Sequence, residues 1–134
     1  MTKIILIVFG VIAAGVALFG APYVYEGLKI GAQMRSLRNR SDNQQIAVSC
    51  VNLVHSVSGG LVRVSVADPR VPEVLRSLHP GYILASTNGL TMEFHGGFEH
   101  YGYRLRQSER DSKQWTLSFY NDQNEELLTT VTRD

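Results

Sequence analysis

Fourteen consecutive residues, Glu93 to Arg106 (EFHGGFEHYGYRLR), hold the densest set of chemistry-bearing side chains in the chain. Two histidines, two glutamates and two arginines sit there among three glycines and four aromatic residues. Two imidazoles and a carboxylate, with water as a fourth ligand, are a donor set that a divalent metal such as zinc accepts. If His95 and His100 oppose each other across a hairpin, their Cβ atoms lie roughly 5 Å apart. Glu93 then shares their face, so His95, His100 and Glu93 form the candidate metal site. A plainer arrangement competes with it. Arg104 is a diagonal neighbour of Glu93 on that face, and a salt bridge between them needs no metal. Arg104 and Arg106 also mark the face as a candidate surface for a partner. No catalytic residue and no organic cofactor is indicated.

Other catalytic signatures are absent. The chain has no G-x-S-x-G, P-loop, G-x-G-x-x-G or H-E-x-x-H sequence. Its single cysteine, Cys50, excludes both an intrachain disulfide and a CxxC site. Cys50 and His55 are five apart in a stretch that reads as a strand, so they point to opposite faces, and Cys50 is expected to be a buried, inert thiol. From Ser41 onward there are eight basic and eleven acidic residues, net −3. That balance argues against nucleic acid as a partner.

The elements that must position Glu93–Arg106 follow from period-two alternation. Asn88-Gly89 is a two-residue turn signal that asks for positive φ at both positions. Pairing Thr87 with Leu90 around it brings Ala85 opposite Met92 and Ile83 opposite Phe94. A four-residue loop, Gly96-Gly97-Phe98-Glu99, then pairs His95 with His100, Phe94 with Tyr101, Met92 with Tyr103 and Leu90 with Leu105. Trp115, Leu117 and Phe119 continue the apolar face in a fourth strand, and Leu127, Thr129 and Val131 in a fifth. Tyr120 falls on the outward face, opposite His100. A slip of one residue at any turn would move every side chain to the wrong face. The pattern therefore predicts a five-stranded antiparallel meander over Tyr82 to Thr132. Its apolar face must be covered. A short helix over Asp68 to Leu78 and a hairpin made of Ile46–His55 and Leu61–Ala67 are the available covers.

The amino-terminal third has a different character. Ile4 to Tyr25 carries no charged residue. At about 1.5 Å per residue, Ile4 to Tyr23 is long enough for a hydrocarbon layer of roughly 30 Å, and it reads as a transmembrane helix. A cleaved signal peptide fits less well, because cutting after Ala21 places Phe19 at the third position back and Pro22 just after the cut. Gly10, Ala13, Ala14, Ala17 and Ala21 share one helix face and form a candidate packing surface for another helix. Beyond Pro22, the spacing of Tyr23, Gly27, Ile30, Met34 and Leu37 predicts an amphipathic juxtamembrane helix, with Lys29, Arg35, Arg38 and Arg40 near the membrane. Charges within a dozen residues of the span place the following domain outside the cytoplasm, although a count of Lys and Arg out to Arg40 points the other way.

These features imply an α+β protein: an N-terminal transmembrane helix, then a small antiparallel β-meander domain with one short helix. The expected divisions are residues 1–24 as anchor, 25–45 as amphipathic helix and polar linker, and 46–134 as soluble domain. The expected role is a single-pass, membrane-anchored interaction or accessory subunit without enzymatic activity. Its expected partners are membrane lipid and, through the span, a second copy or another membrane protein. The alternatives are an anchored metal-dependent enzyme using the His/Glu cluster and a binder of small apolar ligands on the concave side of the sheet.

Overall fold

A computed structural model describes residues 2–57, 59–96 and 99–133. The chain divides into two compact units, Met1–Arg35 and Ser36–Asp134.

In the first unit the path is helical throughout. Helix α1 (Thr2–Gly15) leads into a π-helical turn (Val16–Gly20) and then helix α2 (Ala21–Arg38). Gly15 and Ala21, on either side of the π turn, both keep right-handed helical dihedrals. Pro22 explains the wider turn. Its ring collides with the carbonyl four residues back, that of Leu18, and it has no N–H to bond there. A π turn moves that carbonyl aside without ending the helix. The expectation of one uninterrupted transmembrane helix from Ile4 to Tyr23 is therefore corrected. No helix among the described residues is long and apolar enough to cross a membrane. The apolar α1 has 14 residues, which rise about 21 Å against a hydrocarbon layer of roughly 30 Å. The helix expected beyond Pro22 is present as α2, which follows the π turn without a break.

The second unit is α+β. Its sheet has six antiparallel strands in sequential order: β1 (Val62–Val64), β2 (Tyr82–Ser86), β3 (Gly89–Gly96), β4 (Glu99–Gln107), β5 (Gln114–Tyr120) and β6 (Glu125–Thr132). The five-stranded meander is present as β2–β6, with β1 added at one edge. The β3–β4 register is the expected one, with His95 opposite His100, Met92 opposite Tyr103 and Leu90 opposite Leu105. Gly96 pairs with Glu99, so only Gly97 and Phe98 of the expected four-residue loop lie between the strands, and both are outside the described residues.

Two registers differ. In the β2–β3 hairpin, Ser86 pairs with Gly89 and Ala85 with Leu90, so the turn is Thr87-Asn88, not Asn88-Gly89. Positive φ occurs at His79 and Gly59 among the described residues, so this is not the primed turn that Asn-Gly suggests. Gly89 is needed for a different reason: a Cβ there would stand 2.8 Å from the Leu105 carbonyl oxygen. The shift is by two residues and leaves both faces intact. In β6 the register breaks between Leu117 and Ser118 of β5, where Thr129 and Leu127 are successive partners and Leu128 is the extra residue. A bulge of one residue reverses the alternation beyond it. Leu127, expected in the core, is consequently 61% exposed.

The apolar face of the sheet is covered by an element that the alternation hides. Ile46–His55 is not a strand but the greater part of helix α3 (Asn43–Ser56). Its valines and isoleucine favour strands, yet Ile46, Ala47, Cys50, Val51 and Val54 also recur at i, i+3 and i+4, and the sheet requires a helix's stripe to cover it. Those residues and Leu53 are buried against strands β2–β6, with Ile83, Met92, Phe94, Tyr101, Tyr103, Leu105, Trp115, Leu117 and Phe119 on the sheet side. The apolar side of the sheet is thus covered by α3. The expected Asp68–Leu78 helix shrinks to α4 (Glu73–Arg76), which packs on α3. The Asp68 carboxylate instead bonds the Arg70 backbone N–H at 2.9 Å and its guanidinium at 2.8 and 3.0 Å, and Asp68 forms a turn.

Candidate functional site

The outward face of the sheet carries the charged chemistry, in rows set by the registers. One row reads Tyr82, Glu93, Gly102, Tyr120, Glu125 across β2–β6, and the next reads Leu84, Thr91, Arg104, Ser118, Leu127. Tyr120 therefore lies opposite Gly102, not His100. Gly102 cannot carry a side chain, because a Cβ there would collide with the Met92 carbonyl.

Glu93 is buried although it faces outward, at 8% exposure. His100 Nδ1 lies 2.7 Å from Glu93 Oε1. A carboxylate only accepts, so Nδ1–H donates. The His100 side chain is 74% exposed, and its backbone N–H donates to Asp122 Oδ2 at 3.2 Å. Glu93 also acts on Tyr120. Burial, reinforced by the Glu93 charge, pushes the Tyr120 phenol up to about 12.

The expected Glu93–Arg104 salt bridge does not form. The Arg104 guanidinium stacks over the Tyr120 ring, 4.3 Å from its centroid, and its Nη1 lies 3.5 Å from Glu125 Oε2. Arg106 Nη1 donates to Glu125 Oε1 at 2.7 Å. One carboxylate thus bridges two guanidiniums. The β6 bulge makes this possible, since it turns Glu125 onto the outward face. The sequence offers no signal for Glu125, which reads as the end of a polar loop. Both arginines line an open trough of ≈460 Å³, together with Leu61, Leu84, Asn88 and Thr91.

Of the three candidate metal ligands, Glu93 and His100 are brought together, and they bind each other. The backbone of His95 is opposite His100, but its side chain lies outside the described residues. Among the described residues, no group of three His, Cys, Asp or Glu side chains is placed to hold a metal ion. Burial pushes the Cys50 thiol up to about 12, so it stays protonated and unreactive. His55 is exposed and stacks edge-on to Trp115, with ring centroids 5.8 Å apart.

In the first unit, Gly10, Ala13 and Ala14 lie on α1, Ala17 in the π turn and Ala21 at the start of α2. A π turn holds more residues than an α turn, so the row assumed for a uniform helix does not run straight through it. Ala17 and Ala21 instead join Gly20, Val24, Tyr25 and Leu28 along one apolar groove of ≈420 Å³. No family model, no curated protein and no solved structure matches this chain.

Proposed function

We propose that this chain is a single-pass, membrane-anchored protein whose α+β domain serves as a non-enzymatic interaction or accessory subunit at the membrane surface. One observation carries the reading. From Ile4 to Tyr25 there is no charged residue, and Ile4, Leu6, Ile7, Phe9, Val11 and Leu18 of that run are all exposed. Leaving such side chains in water instead of burying them costs about 1.5–3 kcal/mol each. Lipid is the natural cover for a helical path of that composition. The 22 residues rise about 33 Å taken as a composite of α1, the π turn and the first turn of α2, which suffices for the hydrocarbon layer. Membrane lipid is accordingly the first partner. Gly10, Ala13, Ala14, Ala17 and Ala21 supply close-approach positions for a second copy or another membrane helix. The domain stands outside the cytoplasm and offers the Arg104–Glu125–Arg106 face to its partner.

Carbonate extraction of membranes from cells expressing the full chain tests the anchor. The chain is expected to stay with the bilayer, and its release into the supernatant would refute the reading. A reporter fused after Asp134 is expected to be active outside the cytoplasm. Crosslinking through Ala17→Cys reports only on the span, because Cys50 is buried. A strictly monomeric product with no co-purifying membrane protein would remove the helix-packing part.

A further inference from the structure

The first unit contains one acidic residue, Glu26, and after the apolar run two basic ones, Lys29 and Arg35. Both are exposed, and among the described residues neither forms an ion pair. The basic residues that follow are engaged: Arg38 with Glu126 at 3.8 Å, and Arg40 with Asp42 at 2.8 and 3.0 Å. Arg35 is also held in a particular direction. Its Nη1 lies 3.6 Å from where a Cβ on Gly31 would be. The guanidinium is thus drawn back one helical turn toward the apolar run, over a position with no side chain of its own.

Distances along α2 place these groups relative to the end of that run. Tyr23 and Tyr25, both well exposed, are residues of the kind that sit at a membrane–water boundary. Lys29 is four residues beyond Tyr25, about 6 Å along the axis. The Arg35 backbone is about 15 Å beyond, and drawing back one turn of about 5.4 Å brings its guanidinium to about 10 Å. The headgroup layer extends about 5–7 Å past the hydrocarbon edge. Lys29 falls within it, and the Arg35 guanidinium lies about 3 Å beyond its outer margin, inside the roughly 8 Å over which surface charge is felt.

We propose that Lys29 and Arg35 give this end of the apolar run a preference for anionic phospholipid headgroups, with Lys29 among the phosphates and Arg35 attracting them from just outside. This rests on the anchor reading above and adds to it a preference among lipids. Each basic residue near an anionic surface strengthens binding about fivefold, and Glu26 cancels one of the two. The expected preference for anionic over zwitterionic lipid is therefore about fivefold, from a net charge of +1 on these three side chains.

To test it, the full chain is reconstituted in vesicles of equal phosphatidylglycerol and phosphatidylcholine, gently re-extracted, and its retained phospholipid quantified by mass spectrometry. Phosphatidylglycerol should be enriched about fivefold, more so in Glu26→Gln. The enrichment should disappear in Lys29→Gln/Arg35→Gln, whose two exposed substitutions leave the domain's unfolding midpoint unchanged. A chain that resists carbonate yet shows no enrichment overturns the lipid site and leaves the anchor standing. Release by carbonate overturns both. Complete displacement of the lipid by inorganic phosphate would assign the cations to free phosphate and overturn the proposal as well.

Discussion

Tyr103 supplies the most informative test of how the domain is held together. Its ring is fully buried in the centre of the sheet, and its hydroxyl donates to the Leu37 carbonyl at 2.6 Å. Leu37 belongs to the last turn of α2 and is itself buried. Carbonyls of a last helical turn have no partner within the helix, so this phenol satisfies one that water does not reach. Tyr103→Phe keeps the ring and removes the donor. Stranding a buried acceptor costs about 1–3 kcal/mol, and the middle of that range lowers Tm by about 8–16 °C in a domain of this size. Trp115, the only tryptophan and 1% exposed, reports unfolding in guanidinium by fluorescence. The pH dependence gives a second readout. Burial pushes the Tyr103 phenol above its ordinary value, with Arg40 opposing. Above about pH 10 the unfolded chain releases this proton while the folded chain keeps it, so stability present below that pH is lost as pH rises, by up to about 1.4 kcal/mol per pH unit. Tyr103→Phe lacks that loss, whereas Tyr101 and Tyr120 titrate in both proteins. The gap between wild type and variant should therefore narrow from pH 9 to 11. A gap below about 0.5 kcal/mol at neutral pH, within the scatter of inert substitutions, or one that widens with pH, would refute the assignment.

Gly102→Ala forces a Cβ into the Met92 carbonyl; it should lower stability by about 3 kcal/mol in urea unfolding, and a neutral result would mean the strands do not approach as described. His100→Ala leaves the Glu93 carboxylate buried without its imidazole, a loss of about 1–3 kcal/mol at pH 7 that adding Glu93→Gln should largely restore; independent, additive effects would rule out the pair. Leu127→Lys should change stability by less than about 0.5 kcal/mol, because the bulge turns Leu127 outward, whereas a loss of several kcal/mol would restore it to the core. With Glu93 bonded to His100, the purified chain should lack stoichiometric zinc by elemental analysis and keep its unfolding midpoint under a chelator; one equivalent of tightly held metal would revive the His95, His100, Glu93 site.

The meander was readable because strand alternation has period two and every turn from Tyr82 to Thr132 had to respect it. That constraint alone puts Phe94, Tyr101, Tyr103, Trp115, Leu117 and Phe119 in the core and Glu93, His100, Arg104 and Arg106 on the other face. It even tolerated an error at Thr87–Asn88, since a shift of two residues preserves parity. The uncharged run from Ile4 to Tyr25 is equally a property of the sequence.

What the sequence left open depends on groups distant along the chain. Ile46–His55 satisfies the composition of a strand and the spacing of a helix, and the need to cover an apolar sheet decides between them. The β6 bulge is a single extra residue with no local signature, yet it expels Leu127 and carries Glu125 to Arg104 and Arg106. That shift takes Arg104 from its expected partner, Glu93. With Arg104 drawn away, Glu93 finds its hydrogen-bond partner in His100. Alternation assigns a side chain to a face, but only the packed sheet determines which neighbour on that face its charge meets.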